Sequence, residues 1–225
     1  MTSTRNESTN QLADLMLDLG SFQLRPDNPV RWASGALMPV YNDNRRLLSE
    51  PRARVLVTDA FCDILNEAGA MPEGIVGTAT GGIAPATSLA DRLGIRFFYV
   101  RSGAKDHGLG RRVEGTGDGF DGMDVVLVED LVSTGGSSAA AAAAVHEAGA
   151  LLRTGIAVFS YGFSRADESF AALPFPFTMR PILTVADLYR RAKDRNLLTN
   201  NQITQLDHWL VDPFGWAEKR GEIDE

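Results

Sequence analysis

Residues 125–138, VVLVEDLVSTGGSS, constrain this chain more than any other stretch. Val125, Val126, Leu127 and Val128 run without alternation, the pattern of a strand buried on both faces of a parallel sheet. Glu129 and Asp130 stand where that strand is expected to end. A run of small and hydroxyl residues, 133–138, then opens an alanine-rich helix over 139–150. Ligands of open α/β sheets sit outside the carboxyl ends of the strands. A loop of free backbone N–H groups at a helix N-terminus there is a phosphate cradle.

The two halves of the stretch suit different parts of one ligand. Carboxylates repel phosphate but accept hydrogen bonds from vicinal hydroxyls and can hold Mg²⁺. The loop offers N–H and O–H donors to a phosphate. Hydroxyls beside a phosphate describe a ribose 5-phosphate. The plain alternative is a strand, a turn and a capped helix, but two unpaired charges at a strand end are costly without a task. No Gly-Lys-Ser/Thr follows the glycines, and no G-x-G-x-x-G follows the strand, so neither a Walker loop nor a dinucleotide fingerprint is present.

With 225 residues, 44% hydrophobic, the chain can bury the core of one domain, read as spanning 1–225. No apolar run approaches the roughly 18 residues of a membrane span. The N-terminus lacks the basic-then-apolar order of a signal peptide. Cys62 is the single cysteine, which leaves no intramolecular disulfide and no cysteine zinc site. A cytoplasmic protein with no membrane partner is the expectation. A net charge of −7 and a pI near 5.0 argue against a general nucleic-acid binder.

Helical spacing of Leu12, Leu15, Met16 and Leu19 predicts a first helix over 10–19, capped by Ser8 or Thr9. Residues 31–46 read as one hairpin whose polar end gathers Tyr41, Asp43 and Arg45. A helix from Pro51 to Ala68 stops at Gly69. Residues 74–80 form a buried strand running into Gly81-Gly82, where glycine permits close approach of backbone to ligand. A helix over 85–93 and a strand over 95–100 follow, giving a parallel crossover. Residues 101–124 are a long glycine-rich basic loop with Arg101, Lys105, His107, Arg111 and Arg112. Loops of this length in a compact domain are usually functional or mobile, and this one suits a lid over an anionic leaving group. Strands over 155–161 and 179–183, a short helix capped by Ser164, a helix to Asn196 capped by Thr184 and one started by Thr199 complete the chain. The aromatic tail Asp212-Pro213-Phe214-Gly215-Trp216 is expected to dock on the surface. His146 and His208 fall in helices away from the expected chemistry.

The 129–137 stretch resembles the 5-phosphoribosyl-1-pyrophosphate (PRPP) signature of type I phosphoribosyltransferases. Together with Trp32-Ala33-Ser34-Gly35, Pro39-Val40-Tyr41-Asn42-Asp43-Asn44-Arg45, Gly77-Thr78-Ala79-Thr80-Gly81 and Arg101-Ser102-Gly103-Ala104-Lys105-Asp106-His107-Gly108, it resembles the orotate phosphoribosyltransferases from about residue 23 to the tail. The resemblance implies a parallel sheet flanked by helices, with a small N-terminal hood formed mainly by about 20–48. It implies transfer of ribose 5-phosphate from PRPP to orotate, giving orotidine 5′-monophosphate and pyrophosphate, with Mg²⁺ carried on PRPP and no direct protein ligands. Lys105, His107 and Arg101 would meet the leaving pyrophosphate. Glu129 and Asp130 would hold the ribose hydroxyls, and the run Leu131, Val132, Ser133, Thr134, Gly135, Gly136, Ser137 would bind the rest of PRPP. Ser133, Tyr41 and Arg45 would meet orotate. A homodimer with shared sites is implied, since the family's basic loop closes over the partner subunit's site. The chain departs from the best-known form at Ala33 and Ser102, where lysine is frequent. It also departs at Tyr161-Gly162-Phe163, near which some members place an arginine for orotate. A phosphoribosyltransferase for another base, or a PRPP-binding regulator without turnover, are the alternative readings.

Overall fold

A computed structural model describes residues 2–32, 34–103, 112–116 and 119–223, with side chains over 7–219. Helix α1 is Thr2–Asp18. The strand β1 (Phe22–Leu24), the pair β2 (Val30–Arg31) and β3 (Leu37–Met38), and β4 (Val40–Asn42) follow. A 3₁₀ turn at Asn44–Ser49 leads into α2 (Pro51–Glu67). Then come β5 (Gly74–Thr78), α3 (Ile83–Leu93), β6 (Arg96–Val100) and β7 (Val113–Glu114). The chain continues through β8 (Asp124–Val132), α4 (Gly136–Glu147), β9 (Leu151–Ser160), α5 (Ser164–Ala171) and β10 (Thr178–Thr184). Helices α6 (Val185–Asp194), α7 (Asn200–Val211) and α8 (Trp216–Ile223) end it.

Six strands form the main sheet in the order β10-β9-β8-β5-β6-β7, parallel except for β7. This is the α/β architecture expected, a parallel sheet flanked by helices. β8 lies inside the sheet and shows why its apolar run is unbroken. Val126 and Val128 belong to one core with α1, α2 and α3, while Val125 and Leu127 belong to the other with α4. Each of the four is at most 1% exposed. Each fully buried aliphatic side chain is worth roughly 1.5–3 kcal/mol, so a polar residue at any of them would break one of the two layers.

The structure corrects several expectations. α1 begins at Thr2, so neither Ser8 nor Thr9 caps it; a polar first turn extends the helix beyond the buried Leu12 and Met16. The hairpin turning at Ser34-Gly35 forms, but it ends at Met38 and does not extend over 31–46. β2 pairs with β3, and β4 pairs with β1, Tyr41 opposite Gln23. Ser164 is the first residue of α5 and makes no cap hydrogen bond. β7, unexpected inside the long loop, pairs antiparallel with the end of β6. The tail is not docked on the surface at Trp216, which is 1% exposed and donates its indole N–H to the Gln205 carbonyl at 3.0 Å. Burial of one large ring outweighs the polar residues around it, and α8 forms behind it.

Candidate active site

β8 does not stop before its carboxylates. On the β9 side the ladder continues through Glu129, opposite Ala157, to Val132, opposite Ser160; on the β5 side it ends with Val128 opposite Gly77. The carboxylates therefore remain held by β9 while the other edge of β8 is released beyond the end of β5. That gap is the crevice. At the end of β5, Gly77, Gly81 and Gly82 are packed too closely for side chains. A Cβ on Gly77 would lie 2.9 Å from Ala86 Cβ, and one on Gly81 would collide with the Asp130 carboxylate.

The two carboxylates have different surroundings. Glu129 is 6% exposed and accepts from Thr78 Oγ1 at 2.6 Å, Ser138 Oγ at 2.8 Å and the Asp130 N–H at 3.1 Å. Burial pushes its carboxyl up to about 7, against the hydrogen bonds from Thr78 and Ser138 that favour the charged form. Asp130 is half-buried, and its carbonyl accepts from Asn44 Nδ2 at 2.5 Å. Asn44 is buried on the 3₁₀ turn after β4, so the N-terminal segment braces the back of the carboxylate strand.

A cavity of about 290 Å³ lies over this strand end, lined by Thr78, Thr80, Arg101, Arg112, Glu129, Asp130 and Ser137. Two guanidiniums and two carboxylates thus share one chamber, which suits a ligand with an anionic end and a hydroxyl-bearing end. Beyond Val132, Ser133 is half-buried, Thr134, Gly136 and Ser137 are exposed, and Gly135 is buried with φ +80. Gly135 needs to be glycine, since a Cβ there would meet Ala166 Cα at 2.8 Å. Helix α5 supports the loop from behind, and Ser169 Oγ donates to the Thr134 carbonyl at 3.0 Å. Leu131 also lines the cavity, whereas the Val132 side chain is in the core.

Arg101 stands at the end of β6, 3.5 Å from Glu114. Lys105 and His107 lie outside the described residues, as does Ala33. Tyr41 is half-buried in β4. Arg45 is bound to Asp43 by Nε at 2.6 Å and Nη2 at 3.1 Å, and with Asp130 and Gly81 it lines a second, small cavity of about 30 Å³. Of the sequence-based candidates, the structure brings Arg101, Glu129, Asp130, Leu131 and Ser137 to the main cavity, and Arg45 to the small one. It adds Thr78, Ser138, Asn44 and Arg112. Thr78 and Asn44 fell within quoted motifs, but nothing in sequence marks which carboxylate or carbonyl they reach. In the first turn of α5 it also places Arg165, whose guanidinium lies 4.4 Å from the Phe214 ring centre, beside a cavity of about 510 Å³.

The phosphoribosyl transferase domain family matches residues 43–171. An orotate phosphoribosyltransferase of Levilactobacillus brevis is 37% identical over 92% of this chain and 97% of its own. One from Cutibacterium acnes is 38% identical over 97% and 99%. The solved structure of Mycobacterium tuberculosis orotate phosphoribosyltransferase in complex with PRPP is 26% identical and covers 80% of this chain and 98% of its own, with a TM-score of 0.63. Fold, site and family match together place the chain among the phosphoribosyltransferases. Within that class, it belongs to the orotate phosphoribosyltransferase family.

Proposed function

We propose that the cavity at the end of β8 carries out the reaction of that family: PRPP and orotate give orotidine 5′-monophosphate and pyrophosphate, a pentosyl transfer in the de novo synthesis of UMP. The observation that carries this is the single chamber lined by both Glu129 and Asp130 and by Arg101. As pyrophosphate leaves, negative charge grows on it and positive charge on the ribose. Fixed groups of opposite sign at both ends stabilise that separation. Asp130 and Glu129 hold the ribose hydroxyls, Asp130 from the cavity wall and Glu129 from its buried floor. Residues 131–137 receive the 5-phosphate, with backbone donors at the start of α4. Arg101, with Lys105 and His107, meets the pyrophosphate. Ser133, Tyr41 and Arg45 meet orotate, with the segment of about 20–48 acting as a hood on a single domain.

Mg²⁺ fits this site as a passenger on PRPP. Among the described residues no three His, Cys, Asp or Glu side chains gather into a metal cage, and Mg²⁺ is commonly bound through substrate phosphates with few protein ligands. When bound it would neutralise part of the pyrophosphate charge. Asp130 would orient the ribose hydroxyls of the Mg²⁺-bearing PRPP. Among the described residues, no helix is long and apolar enough to cross a membrane; we read the protein as a cytoplasmic homodimer with shared sites. Initial rates with PRPP, Mg²⁺ and a panel of bases test the reading. Orotate is expected to be consumed, and uracil, adenine and hypoxanthine are not. Faster turnover of a purine would overturn the base assignment, and no turnover of any base would favour a PRPP-binding regulator.

A further inference from the structure

Arg112 closes the long loop at its return to the sheet, and no family motif quoted above includes it. Its guanidinium spreads over three main-chain carbonyls. Nε and Nη2 donate to Arg101 O at 3.3 and 3.2 Å, Nη2 to Ser102 O at 3.4 Å, and Nη1 to Ala140 O at 3.2 Å. The Arg112 carbonyl accepts from the Arg101 N–H at 2.9 Å. One planar group therefore links the end of β6, the start of β7 and the second turn of α4. The contacts lie at the long end of the hydrogen-bond range, but donors on three nitrogens of a fixed planar fork reach carbonyls that lie apart, whereas an ammonium places all its donors on one nitrogen.

Resting on the function proposed above, we propose that Arg112 is a positioning residue for the pyrophosphate end of the site. It fixes the main chain at Arg101 and Ser102, where the chain departs toward Lys105 and His107, against the helix whose start receives the 5-phosphate. It lines the same cavity as Arg101, Asp130 and Ser137. The clamp sets the distance between the two anionic ends of PRPP, and its loss falls on the diphosphate and not on the base.

Arg112→Lys keeps the charge and loses the fork; Arg112→Met loses both. Each is assayed forward with PRPP and orotate, and in reverse with pyrophosphate and orotidine 5′-monophosphate. Both variants are expected to lower kcat/KM for PRPP and for pyrophosphate by about tenfold or more, with KM for orotate and orotidine 5′-monophosphate within about twofold of wild type. Thermal midpoints are expected to stay within about 2 °C, since Arg112 is half-buried and belongs to none of the hydrophobic clusters of the core. Recovery of most wild-type kcat/KM in Arg112→Lys would overturn the clamp, because charge alone would then suffice. Equal losses for base and diphosphate, or losses that track a fallen midpoint, would also overturn it, as would unchanged kinetics. A wild type that fails to turn over orotate would instead defeat the function proposed, before any variant is compared.

Discussion

At the scale of single residues, Glu129 and Asp130 show how neighbours in sequence acquire different chemistry. Alternation in a strand sends the Glu129 side chain inward, where Thr78 and Ser138 hold it, and leaves Asp130 half-buried at the cavity. Burial raises the Glu129 carboxyl from its ordinary 4.5 to about 7. Between those values the folded protein binds more protons than the unfolded chain, so this residue's favourable contribution is full below about 4.5 and is lost as pH rises through about 7. The linked change is of order 3 kcal/mol. Glu129→Gln keeps the shape and removes the titration. Denaturant midpoints of variant and wild type measured from about pH 5 to 8 are expected to diverge, with the variant gaining on the wild type as pH rises. A constant difference across that range would show that Glu129 does not titrate there.

At the scale of elements, the loop between β8 and α4 is held from behind by α5 and open in front. A Cβ on Gly135 would collide with Ala166, whereas a Cβ on Gly136 would meet no atom within 4 Å. Gly136→Val is therefore expected to fold normally and to raise KM for PRPP by about tenfold or more, because the branched side chain fills space that a phosphate needs beside the backbone N–H groups. KM for orotate should move much less. Equal loss for both substrates, or an altered circular dichroism spectrum, would contradict this. The strand and this loop were legible in sequence because a strand buried on both faces leaves an unbroken apolar run and a phosphate loop needs small residues. Other elements left no such signal. β7 is two residues long, too short for any periodicity. The continuation of β8 through Asp130 depends on the length of β9, which the β8 residues do not reveal. Arg112 acts on carbonyls, and no side-chain pattern records that. Trp216 looked like part of a surface tail because burial of a single ring is decided by tertiary packing.

At the scale of the whole molecule, the proposed homodimer joins the loop of one subunit to the carboxylates of the other. Lys105→Ala and Asp130→Asn should each be nearly inactive, one lacking the loop cation and the other the ribose carboxylate. If the site is shared, a heterodimer of the two carries one intact composite site, and mixing and re-equilibrating the variants restores activity to at most about half of wild type per heterodimer, by counting sites in an isologous dimer. Heterodimers that form yet stay as inactive as their parents would place the loop in its own subunit's site. The most direct measurement of all follows orotate absorbance and pyrophosphate release together, with PRPP and Mg²⁺, for the wild type and for Asp130→Asn. Expected is mole-for-mole loss of orotate and release of pyrophosphate by the wild type. Asp130→Asn, with an unchanged circular dichroism spectrum, should fall in turnover by about a hundredfold or more, because one fixed charge facing the developing ribosyl cation is removed. Unchanged turnover of Asp130→Asn at saturating substrates, or pyrophosphate release by the wild type that does not depend on orotate, would contradict a site built on the carboxylate end of β8.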